Sequence, residues 1–462
     1  MELSLKKLAI RGATWALIGY STTQAIRFFS NIVLTKLLVP EMFGLMALVN
    51  VVLLGLQMFS DVGIGPSIVQ NKRGEDPDFL NTAWTMQISR GVGIFIIGCL
   101  ASWPVAQFYD KPELAWILPF SASTALIAGF NSTSLFTADR RIDLSRLTIV
   151  ELVAQIVSIV VMIIFASINP SVWALVTGGI CGAIAKMAMS HAWKSDIRNR
   201  IKWDKEAAQS LAKFGRWIFL STALGFILKY GDQLILGKFL TSADLGIYYI
   251  ATMLLKVIER VLSRMVHKVL FPIYSKLNHL PPKELRPRVK KVRLALMGVL
   301  LPPLIFLAIF GPELIQFIYP ADYANAGWML QVLAAGLIVF VGSLIGPFYL
   351  AYGNSLLFMK LQATRSVLLM LCMAIGGQIA GASGAICGVA ATRLVFYPIQ
   401  ITVYRNYDLW LPKLDVLGLM GPATIIGAGL WLKAMFLSPD IGLELRVHVI
   451  EIAQNFLSIF GN

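Results

Sequence analysis

The residues with chemistry to offer are charged and amide side chains set at helical spacing inside long apolar runs. In the first run Tyr20, Gln24, Arg27 and Asn31 recur at steps of 4, 3 and 4. In the second, Asn50, Gln57 and Asp61 recur at 7 and 4. In the seventh, Ser221, Gly225, Lys229 and Asp232 recur at 4, 4 and 3. In the eighth, Thr252, Lys256, Glu259, Arg260, Ser263 and His267 crowd one side. Residues three and four apart share a helix face, so each set forms one polar stripe. Gln24, Arg27, Asn31, Lys229, Lys256 and Arg260, with Arg393 from a later run, make a set suited to binding an anion. Arg in particular presents a planar fork of donors that matches phosphate or carboxylate oxygens. Asp61, Asp232 and Glu259 would repel that anion and read as coupling or structural charges.

A charge at the centre of a membrane helix costs roughly 2.5–3.5 kcal/mol on insertion scales, so each embedded charge needs a reason. Ion pairs such as Lys229–Asp232 or Glu259–Arg260 supply one. Snorkelling of Arg264, His267, Lys268 and Arg365 near helix ends supplies another. Arg27 has no carboxylate in its own run, which favours a ligand. Covalent and metal chemistry have no foothold: Cys99, Cys181, Cys372 and Cys387 are scattered in apolar runs, and no CxxC, HExxH or GxSxG spacing occurs. GDQLILGKF (231–239) looks faintly like a phosphate loop, but five residues separate its glycines and Phe239 stands where Ser or Thr is required. No catalytic residue, metal site or cofactor is expected, and any driving energy must come from a gradient or from the substrate's own concentration difference.

The runs that carry these stripes must be membrane helices. The chain has 462 residues, 57% of them hydrophobic and 14% charged, and a mean hydropathy of +0.71. Soluble domains are typically about 45–50% apolar and 25% charged. A disordered chain, a collagen, a coiled coil and an ordinary soluble enzyme are excluded. Spans are expected at 13–38, 42–68, 83–107, 115–137, 147–168, 172–193, 213–238, 245–268, 294–311, 328–350, 361–380, 384–404 and 414–436. A net charge of +15 would suggest nucleic acid in a soluble protein. Here the positives fall in alternate loops: Lys72 and Arg73, then Arg140, Arg141 and Arg146, then clusters at 194–205 and 276–293, then Arg405 and Lys413. The opposite loops hold little beyond Lys36, Lys111 and Lys238. The positive-inside rule makes the basic loops cytoplasmic, with a cytoplasmic N-terminus ahead of a retained first helix, and no nucleic-acid partner is implied. Segment 276–293, with Pro281, Pro282 and Pro287, reads as a turn-rich loop. In 443–460, Glu444, His448, Glu451 and Asn455 share one face, as in an interfacial helix or, less favoured, a fourteenth span.

The chain carries an internal duplication. LTKLLVPEMFGL (34–45) and LGKFLTSADLGI (236–247) align at one fixed shift, pairing Leu34 with Leu236, Lys36 with Lys238, Leu38 with Leu240 and Gly44 with Gly246. The same shift sets Arg27 opposite Lys229. Two parallel repeats of six spans follow, with substrate sites expected between the repeats, in a polar, positively biased cavity. The organisation expected is an all-α polytopic membrane protein with lobes at 1–200 and 201–410, related by a pseudo-two-fold repeat, and one or two extra helices at 411–462.

FSDVGIGPSIVQNK (59–72), DQLILGKFLTSADLGIYYIA (232–251), VLFPIYSK (269–276) and GGQIAGASGAICG (376–388) occur in this order. Together they resemble the polysaccharide (O-antigen type) flippases of the multidrug/oligosaccharidyl-lipid/polysaccharide (MOP) exporter superfamily, in particular the branch that includes colanic acid exporters. The resemblance spans at least residues 1–410. It implies two six-helix lobes in a V that alternates between inward- and outward-open states. It also implies the cargo: an oligosaccharide on undecaprenyl diphosphate, flipped to the periplasmic leaflet of the bacterial inner membrane for surface polysaccharide synthesis. Membrane lipids and other polysaccharide assembly proteins are the implied partners. One rival is a cation-coupled multidrug antiporter of the same superfamily, which needs embedded carboxylates where the first span has Arg27. Another is a membrane enzyme that polymerises or ligates glycans. It would need acid/base residues in a large outer loop, and 312–327 offers only Glu313 and Asp322.

Overall fold

Every described element of the protein is a helix. The computed structural model describes residues 2–436 except 62, 193–197, 267–269, 278–280 and 344–347. Side chains are described for these except at 2–13, 16, 17, 212–224, 227, 228, 272, 273, 277 and 282. The 443–460 segment, His267 and Lys268 lie outside the described residues, as does the side chain of Ser221.

The chain divides into two units, Met1–Phe226 and Ile227–Asn462. Unit 1 holds α1 (Glu2–Leu37), α2 (Pro40–Phe59), α3 (Ile64–Gln70), α4 (Pro77–Tyr109), α5 (Leu114–Gly129), α6 (Ser134–Arg140), α7 (Leu144–Ile168), α8 (Trp173–Ala192) and the first part of α9 (Lys205–Phe239). Within it α4 packs along α5, α7 along α8, and α1 on α7. Helix starts follow local chemistry. Pro40 and Pro77 occupy first turns, where a missing N–H costs nothing. The Asp76 carboxylate accepts from Asp78 N at 3.0 Å and caps α4.

Unit 2 holds the rest of α9, then α10 (Ser242–Met265), α11 (Phe271–Leu277), α12 (Pro282–Ile318), α13 (Ala326–Gly342), α14 (Phe348–Ala351), α15 (Ser355–Asn406) and α16 (Pro412–Phe436). There α13 packs on α10, α12, α15 and α16. α15 contains two of the expected spans, divided at Ala380 and Gly381. Gly381 adopts φ 57°, ψ −134°, a conformation open essentially to glycine alone. The two halves then cross at Gly376 and Gly384, where a Cβ on either would collide with the other's carbonyl.

Among the described residues, eight helices are long and apolar enough to cross a membrane, nine if the α5–α6 pair, bent by 62°, counts as one. Among the described residues, ten of the thirteen expected spans each coincide with one helix or part of one; 42–68, 115–137 and 328–350 do not. α1, α9 and α10, which carry the charged stripes, are not among the eight. The protein is thus an all-α, multi-pass membrane protein.

Three expectations need correction. The 42–68 span is not one helix. α2 stops at Phe59, the Ser60 hydroxyl donates back to Leu56 O at 2.7 Å, and Gly63 at φ 65° starts α3. The 115–137 span likewise bends between α5 and α6. The described residues of segment 276–293 are largely helical: Pro281 is the N-cap of α12, Pro282 lies in its first turn, where a missing N–H costs nothing, and the helix runs on through Pro287.

The duplicated strings have matching local structure. Leu38 N bonds Leu34 O and Leu240 N bonds Leu236 O, both at 2.8 Å, at the α1–α2 and α9–α10 turns. All four leucines are buried.

The basic connector after α8 is strapped to unit 1. Arg200 N donates to Asn81 Oδ1 (2.8 Å), Lys202 N to Thr85 Oγ1 (3.1 Å) and Asp204 N to Thr82 Oγ1 (2.9 Å). Alternate residues of an extended chain thus bond the first turns of α4. Arg73 Nη2 donates to Asp204 Oδ2 at 2.7 Å, and Lys202 Nζ to Asp78 Oδ1 at 2.6 Å. Ala207 and Leu211 of α9 then join a core of Ile64, Ile68, Phe79, Leu80 and Ala83. The Arg73 bond lowers the Asp204 pKa. Asp76 is lowered first by the Asp78 N–H and then by Arg73, and Glu75 by Arg141.

Candidate functional site

Unit 2 gathers most of the expected anion ligands. α9 supplies Lys229 and Asp232, α10 supplies Lys256, Glu259 and Arg260, and α15 supplies Arg393. Lys256 lies within electrostatic reach of Asp232, Glu259, Arg260 and Lys229. Arg393 Nη2 donates to Glu259 Oε1 at 2.9 Å, and its Nη1 to Leu333 O at 3.3 Å. The Tyr248 hydroxyl donates to Asp232 Oδ2 at 2.6 Å. Lys229 lies 5.3 Å from the centre of the Tyr230 ring, and no Lys229–Asp232 ion pair forms among the described residues.

Arg365 joins this group, against the expectation that it snorkels. α15 begins at Ser355, so Arg365 lies about three turns inside the helix rather than at its end. It sits 5.0 Å from the centre of the Phe340 ring, within reach of Arg393 and Glu259. Five cations (Lys229, Lys256, Arg260, Arg365 and Arg393) thus share the region with two carboxylates.

In unit 1, α1 presents Gln24 half-buried, Arg27 exposed and Asn31 buried. Arg27 makes no side-chain hydrogen bond or ion pair among the described residues, and Asp61 is not its partner. Asp61 lies in the α2–α3 break, where its Oδ1 accepts from Gly63 N at 2.9 Å and shapes the turn.

Sequence reasoning missed Arg90, a lone charge inside the expected third span; that isolation was the available signal. Its Nε donates to Ser60 Oγ at 3.1 Å and its Nη2 to Gln57 O at 2.6 Å, tying down the end of α2. Gln87 Nε2 donates to Ala128, Gly129 and Asn131 carbonyls at 3.2, 2.9 and 3.0 Å, tying the α5–α6 bend. Between these two breaks lies a cavity of about 370 Å³, whose wall includes Gln57, Asp61, Arg90 and Lys186. Arg293, expected in a cytoplasmic loop, is instead 1% exposed; its Nη2 bonds Asp415 Oδ1 and Gly342 O, both at 2.6 Å.

The family described as "Polysaccharide biosynthesis protein" matches residues 33–327. The chain is 21% identical to the lipopolysaccharide biosynthesis protein WzxC of Escherichia coli, over 89% of this chain and 86% of that protein. It is 21% identical to the succinoglycan biosynthesis transport protein ExoT of Rhizobium meliloti, over 71% and 66%. Among solved structures it matches the lipid II flippase MurJ in an inward closed conformation, with a TM-score of 0.69 at 12% identity over 97% of this chain and 98% of that one. It also matches an inward-facing multidrug resistance MATE family transporter of the MOP superfamily, with a TM-score of 0.65 at 14% identity over 88% and 95%. Likeness at such identities is likeness of fold, and it agrees with the all-α membrane transporter fold expected from the sequence. The family match runs from the second half of α1 to the start of α13, well over half of the chain, and the chain belongs to this family of polysaccharide biosynthesis proteins.

Proposed function

We propose that the protein is a transporter, not an enzyme. In this reading it flips an oligosaccharide carried on undecaprenyl diphosphate across the bacterial inner membrane, with its N-terminus in the cytoplasm. The observation that carries this is that five cations (Lys229, Lys256, Arg260, Arg365 and Arg393) gather with two carboxylates (Asp232 and Glu259) among the described side chains of α9, α10 and α15, while Arg27 on α1 makes no ion pair among the described residues. A diphosphate is a dense anion, and embedded cations without enough carboxylates call for one. Gln24 and Asn31 add amide donors beside Arg27. Asp232 and Glu259, held by Tyr248 and Arg393, position that charge rather than meet the ligand. One relative named as a polysaccharide transport protein and one neighbour that is a lipid II flippase support the same class. The lipid-linked oligosaccharide and bilayer lipids are then its partners, along with other polysaccharide assembly proteins. Multidrug transporters share the fold, but a cationic drug would be repelled by this surplus. In a strain lacking the protein, the lipid-linked oligosaccharide should accumulate on the cytoplasmic leaflet, with drug susceptibility unchanged. Normal glycan export with raised drug susceptibility would sink the proposal.

A further inference from the structure

The cavity of unit 1 has no part in the reading above, and its wall carries a distinct set of open polar groups. Arg90 is fixed through Nε and Nη2, while its Nη1 makes no hydrogen bond among the described residues. Asp61 uses Oδ1 on Gly63 N, and its Oδ2 is likewise unengaged. The Gln57 side chain has no bond among the described residues, only its carbonyl being used by Arg90. Lys186 makes one loose pair, 3.9 Å from Glu151, and Glu151 is exposed and not part of the wall.

We propose that this cavity binds a monoanionic, hydroxyl-bearing group, specifically a sugar carboxylate of the uronic acid type. Within the wall itself two cations and one carboxylate leave a single positive charge, which the loose, exposed Glu151 outside it does not neutralise at the cavity, and one negative charge on a ligand balances it. The Arg90 edge suits a carboxylate. A diphosphate would overshoot that balance and face Asp61. A neutral sugar would leave the surplus standing, and a cation would meet Arg90 and Lys186. Asp61 Oδ2 and the Gln57 amide oxygen accept hydrogen bonds, so the ligand must also bring hydroxyl donors, which a simple carboxylate such as acetate lacks. At about 370 Å³ the space lies at the low end of the roughly 300–1,000 Å³ usual for small-molecule sites, enough for one sugar unit and not for a repeat unit. The inference rests on the glycan-transport reading for its biological sense and names a sugar class for that cargo. A glycerophosphate lipid headgroup shares the chemistry of one negative charge plus hydroxyls, and the test must separate the two sources.

The test is calorimetric titration of the purified full-length protein in phosphatidylcholine nanodiscs with glucuronate, glucose, acetate and pyrophosphate. Glucuronate should bind at least about tenfold more tightly than the other three. Lys186→Gln and Asp61→Asn should each weaken it by about tenfold or more. Lys186→Gln decides the matter, because it leaves the Arg90 bonds to α2 in place and should keep the wild-type melting temperature. Absence of glucuronate binding, equal binding of glucose or pyrophosphate, or indifference to Lys186→Gln would overturn the proposal. Loss of glucuronate binding when phosphatidylglycerol is added to the nanodisc would assign the site to the headgroup and overturn the sugar assignment. Failure to flip any lipid-linked glycan would count against the transport reading instead, since binding is measured without transport.

Discussion

Arg27 stands exposed on α1 with no hydrogen-bonded carboxylate among the described residues, whereas Arg293 is buried against Asp415 at 2.6 Å. The two arginines should answer substitution in opposite ways. If Arg27 meets the diphosphate, Arg27→Ala should abolish most glycan export while membrane protein level stays normal, and Arg27→Lys should keep part of it. Export measured beside protein level decides this; full export by a normally expressed Arg27→Ala protein ends the assignment. Asp415 Oδ2 also accepts from Tyr397 and Trp410, both at 3.0 Å, and Lys433 pairs with Glu313 toward the other end of α16. Removing one partner of a buried pair typically costs about 3–5 kcal/mol, because a bare charge is left behind. Arg293→Met should therefore deplete folded protein, and Arg293→Met combined with Asp415→Asn should recover much of it. Size-exclusion profiles of the detergent-extracted proteins would show the difference, and equal yields of all three proteins would refute the pinning role. Arg293 was misread from sequence because its partner lies 122 residues away, beyond any local spacing.

The strap at 198–206 and the broken α2–α3 and α5–α6 segments are decisions made between elements. The strap's carboxylates have lowered pKa values in the folded protein: Asp204 through Arg73, Asp76 through the Asp78 N–H and Arg73, and Glu75 through Arg141. A carboxyl lowered by folding contributes stability that is complete above its unfolded value, about 4, and fades as pH falls below it. Limited proteolysis of the strap should thus be slow at pH 7 and accelerate only below about pH 4. Arg73→Ala should bring that cleavage up to neutral pH. A strap cut equally fast at pH 7 in wild type and Arg73→Ala would show that these ion pairs do not hold it. The break at Gly63 was hidden in the sequence because FSDVGIGPSIVQNK is apolar enough to pass for the end of a span. Asp61 and Ser60, bonding the backbone, end α2 there.

At the scale of the whole molecule, the proposed orientation rests on where the cations lie. Lys283, Arg288, Lys290 and Lys291 are exposed on the first turns of α12, and Arg286 bonds Asp408. A cysteine at Lys283 should resist an impermeant thiol reagent added to intact cells and react once the membrane is opened. Ready labelling of intact cells would reverse the topology. The sequence by itself determined that this chain is an all-α membrane protein with its apolar runs at the observed helices, and that its halves share a helix–turn–helix signature. Both depend on composition and on periodicity within a few turns, which are local properties. It also singled out Lys229, Asp232, Lys256, Glu259, Arg260 and Arg393 one by one, because a charge in an apolar run is conspicuous wherever it points. Only the tertiary structure decided that Asp232 belongs to Tyr248 and Glu259 to Arg393, that Arg365 joins them, and that Arg90 and Asp61 share a cavity wall. Those pairings join residues on different helices, and which faces meet is set by packing across the unit, not by the spacing of residues along any one helix.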